Sequence, residues 1–451
     1  MENTLVQEKL AVKRLPAKIK IAYSLGQLGW SILSGIIQVW LIWFYNPPAN
    51  VAIPEIIPRG AIFGFLTVIG LITMTGRFID GITDPWIASL SDRSRNPKGR
   101  RIPFMAKAVV PFTLFTVFVF LMPVSSSSIL NTIWLTVSLL LYYVFYTMYV
   151  APYFALTSEL GYTEKDRLDL STYIALTWFI GYIIASGASF IWPIFQNMGM
   201  SLVSAIRLSI VLLSVIGFIF MMIPVLVIDE RKFVTVKPSP KSFKSALKSA
   251  FKNRNFVIFE IFFLAYGIAI TIFQTGNVFY VTVLLGFDET WVTIITAVTG
   301  IMAFVLYPAV NIFAKKLGKK RLCFFAMIML ISAYLYCAFL GVFPFAPVIQ
   351  AFIFVIMAGI GFAIFGILPN AIVADIAKND GDRTGEYKEG MFFAVQTFMN
   401  KLGQMIAMLM FTSILLLGKD PGDDLGIRLT GIVASAIGFV ALIIFTKFQD
   451  E

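Results

Sequence analysis

Twelve apolar stretches follow one another along this chain of 451 residues. Each runs to about 20 residues or more, the length at which an α-helix crosses the hydrocarbon of a bilayer. They lie at 21–45, 61–90, 103–123, 129–158, 170–194, 205–228, 255–281, 289–314, 321–343, 347–376, 387–417 and 426–447. Hydrocarbon offers no water to backbone N–H and C=O groups, so each stretch must satisfy them internally, as a helix. The expected fold class is an all-α membrane protein with twelve transmembrane helices. Only 14% of the residues are charged, against about 25% in a soluble domain.

Twelve spans put both termini on one side of the membrane. If that side is the cytoplasm, only Arg59, Arg207, Lys419 and Arg428 among the basic residues lie outside, and Arg77 and Lys401 lie within spans. The remaining Lys and Arg face the cytoplasm, as the positive-inside bias requires. We therefore expect a multi-pass protein of the cell membrane with cytoplasmic termini. The polar first twenty residues lead straight into a span long enough to remain as an uncleaved anchor. The net charge of +11 belongs to cytoplasmic loops beside the lipid bilayer, not to a nucleic-acid surface. The chain has no histidine, which excludes a histidine metal site or proton relay. Cys323 and Cys337 fall in one span, about 21 Å apart along a helix, beyond disulfide reach.

The two halves repeat. Proline in a spanning helix frees a carbonyl and bends the axis. Pro85 in the second span is answered by Pro308 in the eighth, and Pro152 in the fourth by Pro369 in the tenth. The basic turn at Gly99-Arg100-Arg101 is answered by Gly318-Lys319-Lys320-Arg321, and Asp166-Arg167 by Asp382-Arg383. All four pairs are offset by 216 to 223 residues. The expected organisation is an N-terminal six-helix bundle at 1–228 carrying a cation site, a cytoplasmic basic linker at 229–254 and a C-terminal bundle at 255–451. The linker segment "SFKSALKSAF" reads equally as a short amphipathic helix on the inner leaflet or as a solvated tether. Six plus six spans with basic turns form the pattern of the major facilitator architecture. Such transporters hold substrate near the midplane between the halves and rock one half against the other.

Three charges sit where hydrocarbon is expected. Arg77, Asp80 and Asp84 lie three and four residues apart, on one helix face. Each lone charge there would cost about 2.5–3.5 kcal/mol even on insertion scales. Together the two acids form a set of oxygen ligands suited to a small hard cation or a proton, with Thr83 and Thr147 as neutral additions. Lys401 in "FFAVQTFMNKLGQ" is the matching cation, able to pair with Asp80 or Asp84 across the halves. The plainer reading is a structural ion-pair network. Glu159 and Asp375 lie at cytoplasmic helix ends and read as gate or capping salt bridges. Asp92, Arg93, Arg100 and Arg101, and Lys319 to Arg321, read as gates and topological anchors. Glu260, a lone acid in the seventh span, is expected to snorkel or to find a polar partner.

"RFIDGITDPWIASLSDRSRNPKGRRIPF" resembles the second-helix signature of the glycoside–pentoside–hexuronide:cation symporters, the family of the melibiose permease. "KIAYSLGQLGW" is similar to their first-helix opening and "YVAPYFALTSEL" to their fourth-helix segment. "VADIAKNDGDRTGEYKEGMFFAVQTFMNKLG" is similar to the stretch joining their tenth and eleventh helices. The resemblance covers most of the chain. It implies that Asp80 and Asp84 ligate the cation, a sodium ion or proton, with Thr147 assisting and Thr83 beside it. It implies that Lys401 couples cation to substrate and that Arg77 organises the cluster. Ser31, Val150, Tyr153, Phe154, Thr397 and Lys401 would form the substrate site. The expected protein is a monomeric, non-enzymatic symporter of a sugar or glycoside, without a prosthetic cofactor. The transported ion would serve as its coupling ion.

The sequence departs from the melibiose-type members at three positions. Ser31 and Val150 stand where those members carry acids, and Ile174 stands near the place of an arginine. The alternative substrate is an amphiphile such as a lysolipid, since related vertebrate symporters keep the helix-two acids and the helix-eleven lysine. A membrane enzyme would need a nucleophile–base pair or converging metal ligands, and neither is visible. A galactoside hydroxyl facing Val150 would lose its water without compensation, at about 1–3 kcal/mol. Adding the weaker partner at Ser31, melibiose should bind at least about a hundredfold more weakly than the true substrate. Isothermal calorimetry measures this directly, and tight melibiose binding would refute it.

Overall fold

The computed structural model describes residues 15–160, 163–233, 251–384 and 389–449. The expected amphipathic helix in the linker lies mostly outside these residues. The described chain is helical almost throughout. Helix α1 spans Ala17–Tyr45, α2 Val68–Asp92, α3 Ile102–Phe118 and α4 Ile129–Leu160. Then come α5 Glu164–Ser186, α6 Ala188–Asn197, α7 Leu202–Val227 and the short α8 Glu230–Phe233. The second half holds α9 Arg254–Phe279, α10 Thr290–Leu317, α11 Lys319–Cys337, α12 Pro347–Thr384, α13 Glu389–Ile414 and α14 Leu425–Phe445. Ten of the described helical stretches are long and apolar enough to cross a membrane. Helix α2 is long enough but carries Arg77, Asp80 and Asp84, and α3 is apolar but has 17 residues.

Two segments depart from the expected spans. The second span was expected from residue 61, but the helix begins at Val68. Ahead of it Ala61–Ile62 pairs antiparallel with Leu66–Thr67. The turn between them places Phe63 and Gly64 at positive φ, 53° and 80°, which no helix accommodates. The fifth span is two helices, α5 and α6. Ser186 turns its hydroxyl back onto the Ile183 carbonyl, and Gly187 follows, so side chain and glycine together weaken the ladder at one point.

The described residues cluster into two compact units. One comprises residues up to Ile37, Ile82–Met122, and the described residues from Val137 to 233. The other comprises Gln38–Gly81, Pro123–Thr136 and the described residues from 251 on. The division runs through α1, α2 and α4.

In the first unit α1 lies in close contact with α5 and α7. A Cβ on Gly29 would stand 2.5 Å from the Gly217 carbonyl oxygen and 2.7 Å from the Met221 nitrogen. One on Gly35 would stand 2.6 Å from the Ala185 Cβ. Small residues let spanning helices approach to backbone contact, where dispersion replaces the missing hydrophobic drive. In the second unit α9 packs on α13 and α14, and α12 packs on α10 and α11. Its core is aromatic: Phe262 stacks on Phe445, and Tyr266 on Phe365. Cys323 and Cys337 are both buried within α11 and are not joined to each other.

Gly29→Leu should therefore lower stability by about 1–3 kcal/mol through overpacking, because its neighbours are backbone atoms. Gly60→Ala, with nothing within 4 Å, should be neutral. Thermal unfolding of the purified protein in detergent compares them; an unchanged melting temperature for Gly29→Leu would contradict the α1–α7 contact.

Candidate functional site

Asp80 is completely buried on α2. Lys401 of α13 brings its Nζ to 2.8 Å from Asp80 Oδ1 and 3.4 Å from the Asp80 carbonyl oxygen, to which it donates. One turn back along α2, the Arg77 guanidinium lies 3.7 Å from Asp80 Oδ2. Both cations are themselves largely buried, with side-chain exposures of 7% for Arg77 and 13% for Lys401. Two cations thus attend one carboxylate. Asp84, half-buried, follows one turn further along α2. Thr83 is buried beside it and donates its hydroxyl to Thr147 Oγ1 at 3.2 Å, and Thr147 is wholly buried. The structure thus joins Asp80 to Lys401 and Thr83 to Thr147. Among the described residues no three His, Cys, Asp or Glu side chains converge as a metal site.

The expected substrate residues divide by environment. Ser31 is buried, its hydroxyl donating to the Gln27 carbonyl at 2.7 Å and accepting from Gln27 Nε2 at 3.0 Å. Tyr153 is fully buried, stacked on Tyr23 at 4.2 Å and donating to the Tyr23 carbonyl. These contacts are internal to the α1–α4 packing. Phe154 is exposed and Val150 buried. Thr397 is exposed on α13, its hydroxyl bonded to the Phe393 carbonyl, one turn before Lys401.

Two aromatic residues were missed from the sequence. Trp30 meets Tyr146 edge-on at 5.8 Å and Phe154 at 5.9 Å. Tyr146, Val150 and Phe154 are four residues apart on α4, so they share a face. That spacing was the available signal for Tyr146. Among the described residues Trp30 Nε1 and Gln27 Oε1 have no hydrogen-bond partners although buried, and they sit one turn apart on α1.

Ion pairs gather at helix ends. In the first unit Glu159 holds Arg101 at 2.8 Å and Arg100 at 3.3 Å, and Asp92 also pairs with Arg101. Glu230 accepts from the backbone N–H groups of Arg100, Arg101 and Ile102, capping α3 at its positive end. Its carboxyl fills the space that a side chain at Gly99 would need. In the second unit Lys319 pairs with Asp375. Glu159 and Asp375 occupy corresponding places in the internal repeat.

Apolar helices long enough to cross a membrane, with buried charge within them and ion pairs at their ends, mark a polytopic membrane protein, and its relatives make it a transporter rather than an enzyme. The sequence profile of the family described as "MFS/sugar transport protein" matches residues 22–419. The chain belongs to this family, within the glycoside–pentoside–hexuronide:cation symporters of the major facilitator superfamily. It is 24% identical to an uncharacterized symporter of Synechocystis sp., over 97% of this chain and 89% of that one. It is 25% identical to a candidate sulfoquinovose importer of Escherichia coli, over 87% of this chain and 80% of that one. A D-xylose–proton symporter shares the fold with a TM-score of 0.66 at 14% identity, covering 96% of this chain and 98% of that one.

The Asp80 pairing predicts an asymmetric mutational pattern. Asp80→Asn removes the carboxylate that both buried cations attend and should cost about 3–5 kcal/mol. Lys401→Gln leaves Arg77 beside the carboxylate and should cost less. The double variant should be more stable than Asp80→Asn alone. Thermal unfolding of the three variants reads the order, and equal effects of the two single changes would overturn it.

Proposed function

We propose that this protein is a secondary symporter that uses a sodium or proton gradient to import a sugar or glycoside by alternating access. It works in the cell membrane as a monomer, with both termini cytoplasmic. The carrying observation is Asp80, a wholly buried acid on a spanning helix, held by Lys401 from α13. Intramembrane acids of this kind mark ion pathways.

The arrangement suggests how coupling works. Asp80 and Asp84 receive the cation, with the Thr83 and Thr147 hydroxyls as neutral oxygens and Arg77 fixing the Asp80 side chain. An arriving cation competes with Lys401 for the Asp80 carboxylate. Displaced, the Lys401 ammonium turns its three donors toward substrate. Because coupling free energies are reciprocal, bound substrate holds Lys401 away and tightens the cation site.

Sugar recognition is supported by the first unit. Trp30, Tyr146 and Phe154 offer ring faces to the C–H side of a pyranose. The unpartnered Trp30 N–H and Gln27 oxygen form a donor–acceptor pair that a single hydroxyl satisfies. Thr397 lies on the Lys401 side. The family description and the sulfoquinovose-related name of one relative point the same way. The second reading, an amphiphile such as a lysolipid, is favoured by Val150 and the exposed Phe154; the unmet polar atoms at Trp30 and Gln27 favour the sugar.

Asp80→Asn and Asp84→Asn should each abolish gradient-driven uptake in proteoliposomes while substrate exchange persists. Undiminished concentrative uptake in both variants would remove the cation assignment. Trp30→Phe should weaken sugar binding about five- to tenfold, the worth of one hydrogen bond, and leave a lysolipid unaffected.

A further inference from the structure

Glu260 lies on α9, within the second unit and away from the Asp80–Lys401 pair. It is 1% exposed, and among the described residues neither carboxyl oxygen has a hydrogen-bond partner. It was expected to snorkel or to find a polar partner; it does neither. Six residues separate it from the start of α9, about 9 Å of helix, and it faces packed protein.

The rings of Phe256 and Phe392 meet at 4.8 Å where α9 begins its contact with α13. Glu260 and Gln396 each follow four residues later, on the same faces of their helices. Gln396 is buried and its Nε2 is also without a partner. One turn further, Asn400 occupies the notch at Gly267, and its Oδ1 is again unpartnered. Lys401 comes next. A row of unmet polar atoms therefore runs along the α9–α13 seam from Glu260 toward the Lys401 end.

The charged groups on the helices packed against α9 are engaged elsewhere. On α12, Asp375 pairs with Lys319, and Asp380 with Arg383 and Asn253; Lys378 and Asp382 are exposed. On α13, Lys401 holds Asp80. On α14, Arg428 holds Asp424, and Lys447, just beyond that helix, is exposed. Among the described residues no cation or donor is bonded to Glu260, and an ionised carboxylate buried in that way is far more expensive than the same group carrying a proton.

We propose that Glu260 is a proton-binding site. It holds a proton as the neutral acid while the α9–α13 seam is closed. It releases that proton to water when the seam loosens during the transport cycle, and takes one back on closing. The ligand is a proton, and the site is separate from the Asp80–Asp84 cation site. The inference rests on the transporter class and holds whichever ion occupies the latter.

Infrared difference spectroscopy of the purified full-length protein tests it without transport. At neutral pH the wild type should show the carbonyl band of a protonated carboxylic acid. Glu260→Gln, which preserves shape and neutrality, should lose that band and keep substrate binding. In proteoliposomes the same variant should lose the component of the uptake pH profile that Glu260 supplies. Absence of the band in wild type, or its survival in Glu260→Gln, overturns the proposal. Loss of the band with an unaltered pH profile shows a proton held but never exchanged, and also overturns it. Should Glu260→Gln not fold, the wild-type band decides alone: it must respond to pH as substrate and sodium are added, and a band inert to all three sinks the site. Undiminished uptake by the Asp80 and Asp84 variants, which removes the cation assignment, leaves the spectroscopic result untouched, so the two readings fail separately.

Discussion

A carboxylate cannot enter the apolar interior of a helical bundle alone, and Asp80 does not. Its burial depends on Lys401 reaching it from α13 and on Arg77 standing one turn away. That demand fixes where α2 must lie. The same two helices meet again at Gly70, where the missing side chain makes room for Thr412. Beyond the end of α1, the Ala49 N–H donates to Asp420, and Lys419 donates to the Pro47 carbonyl. Residues from Gln38 to Gly81 are thus fastened to 401–420 at three levels. This explains why they cluster with the later helices rather than with the rest of α1 and α2.

Arg100, Arg101, Glu159 and Glu230 sit at helix ends in the first unit, as do Lys319 and Asp375 in the second. Arg101, Glu159 and Glu230 are buried and need their partners as Asp80 does, whereas Lys319 and Asp375 are open enough for water to share in their solvation. The repetition of an acid at the end of one helix against a basic turn, once in each half, is what a duplicated six-helix unit leaves behind. The buried acids of α2 have no such echo in α10, where the corresponding proline, Pro308, lies in an apolar and neutral stretch. The duplication preserved the frame, and only one copy carries the charge.

The helices were legible because length and apolarity are enough to specify them. The hairpin at 61–67 was not, since "AIFGFLT" is as apolar as any span and its turn depends on backbone angles at Phe63 and Gly64. The break between α5 and α6 was hidden for a similar reason: one glycine after one serine carries it. Asp80, Asp84 and Lys401 stood out because charge in hydrocarbon is rare. Trp30 and Tyr146 did not, because aromatic residues make up 15% of the chain and only tertiary contact distinguishes a platform from packing. Glu260 was misjudged because its distance from the helix end invites snorkelling; the direction it faces depends on α13, which lies more than a hundred residues away.

On the proposed reading, coupling does not require a particular ion. A sodium ion at Asp80 would replace the ammonium of Lys401 electrostatically; a proton would cancel the charge that attracts it. Either event loosens Lys401, because the negative charge that Asp80 offers it is then shared with sodium or cancelled by the proton. The choice of ion must therefore rest on groups that treat the two differently. A proton needs only the carboxylate. A sodium ion needs several oxygens in a shell, and carboxylates alone do not complete one. The hydroxyl pair of Thr83 and Thr147, buried and bonded to each other at 3.2 Å, supplies oxygens that matter to sodium and are irrelevant to a proton. On that reading ion selectivity would reside in these two threonines, and the act of coupling in the contest between the cation and Lys401 for Asp80.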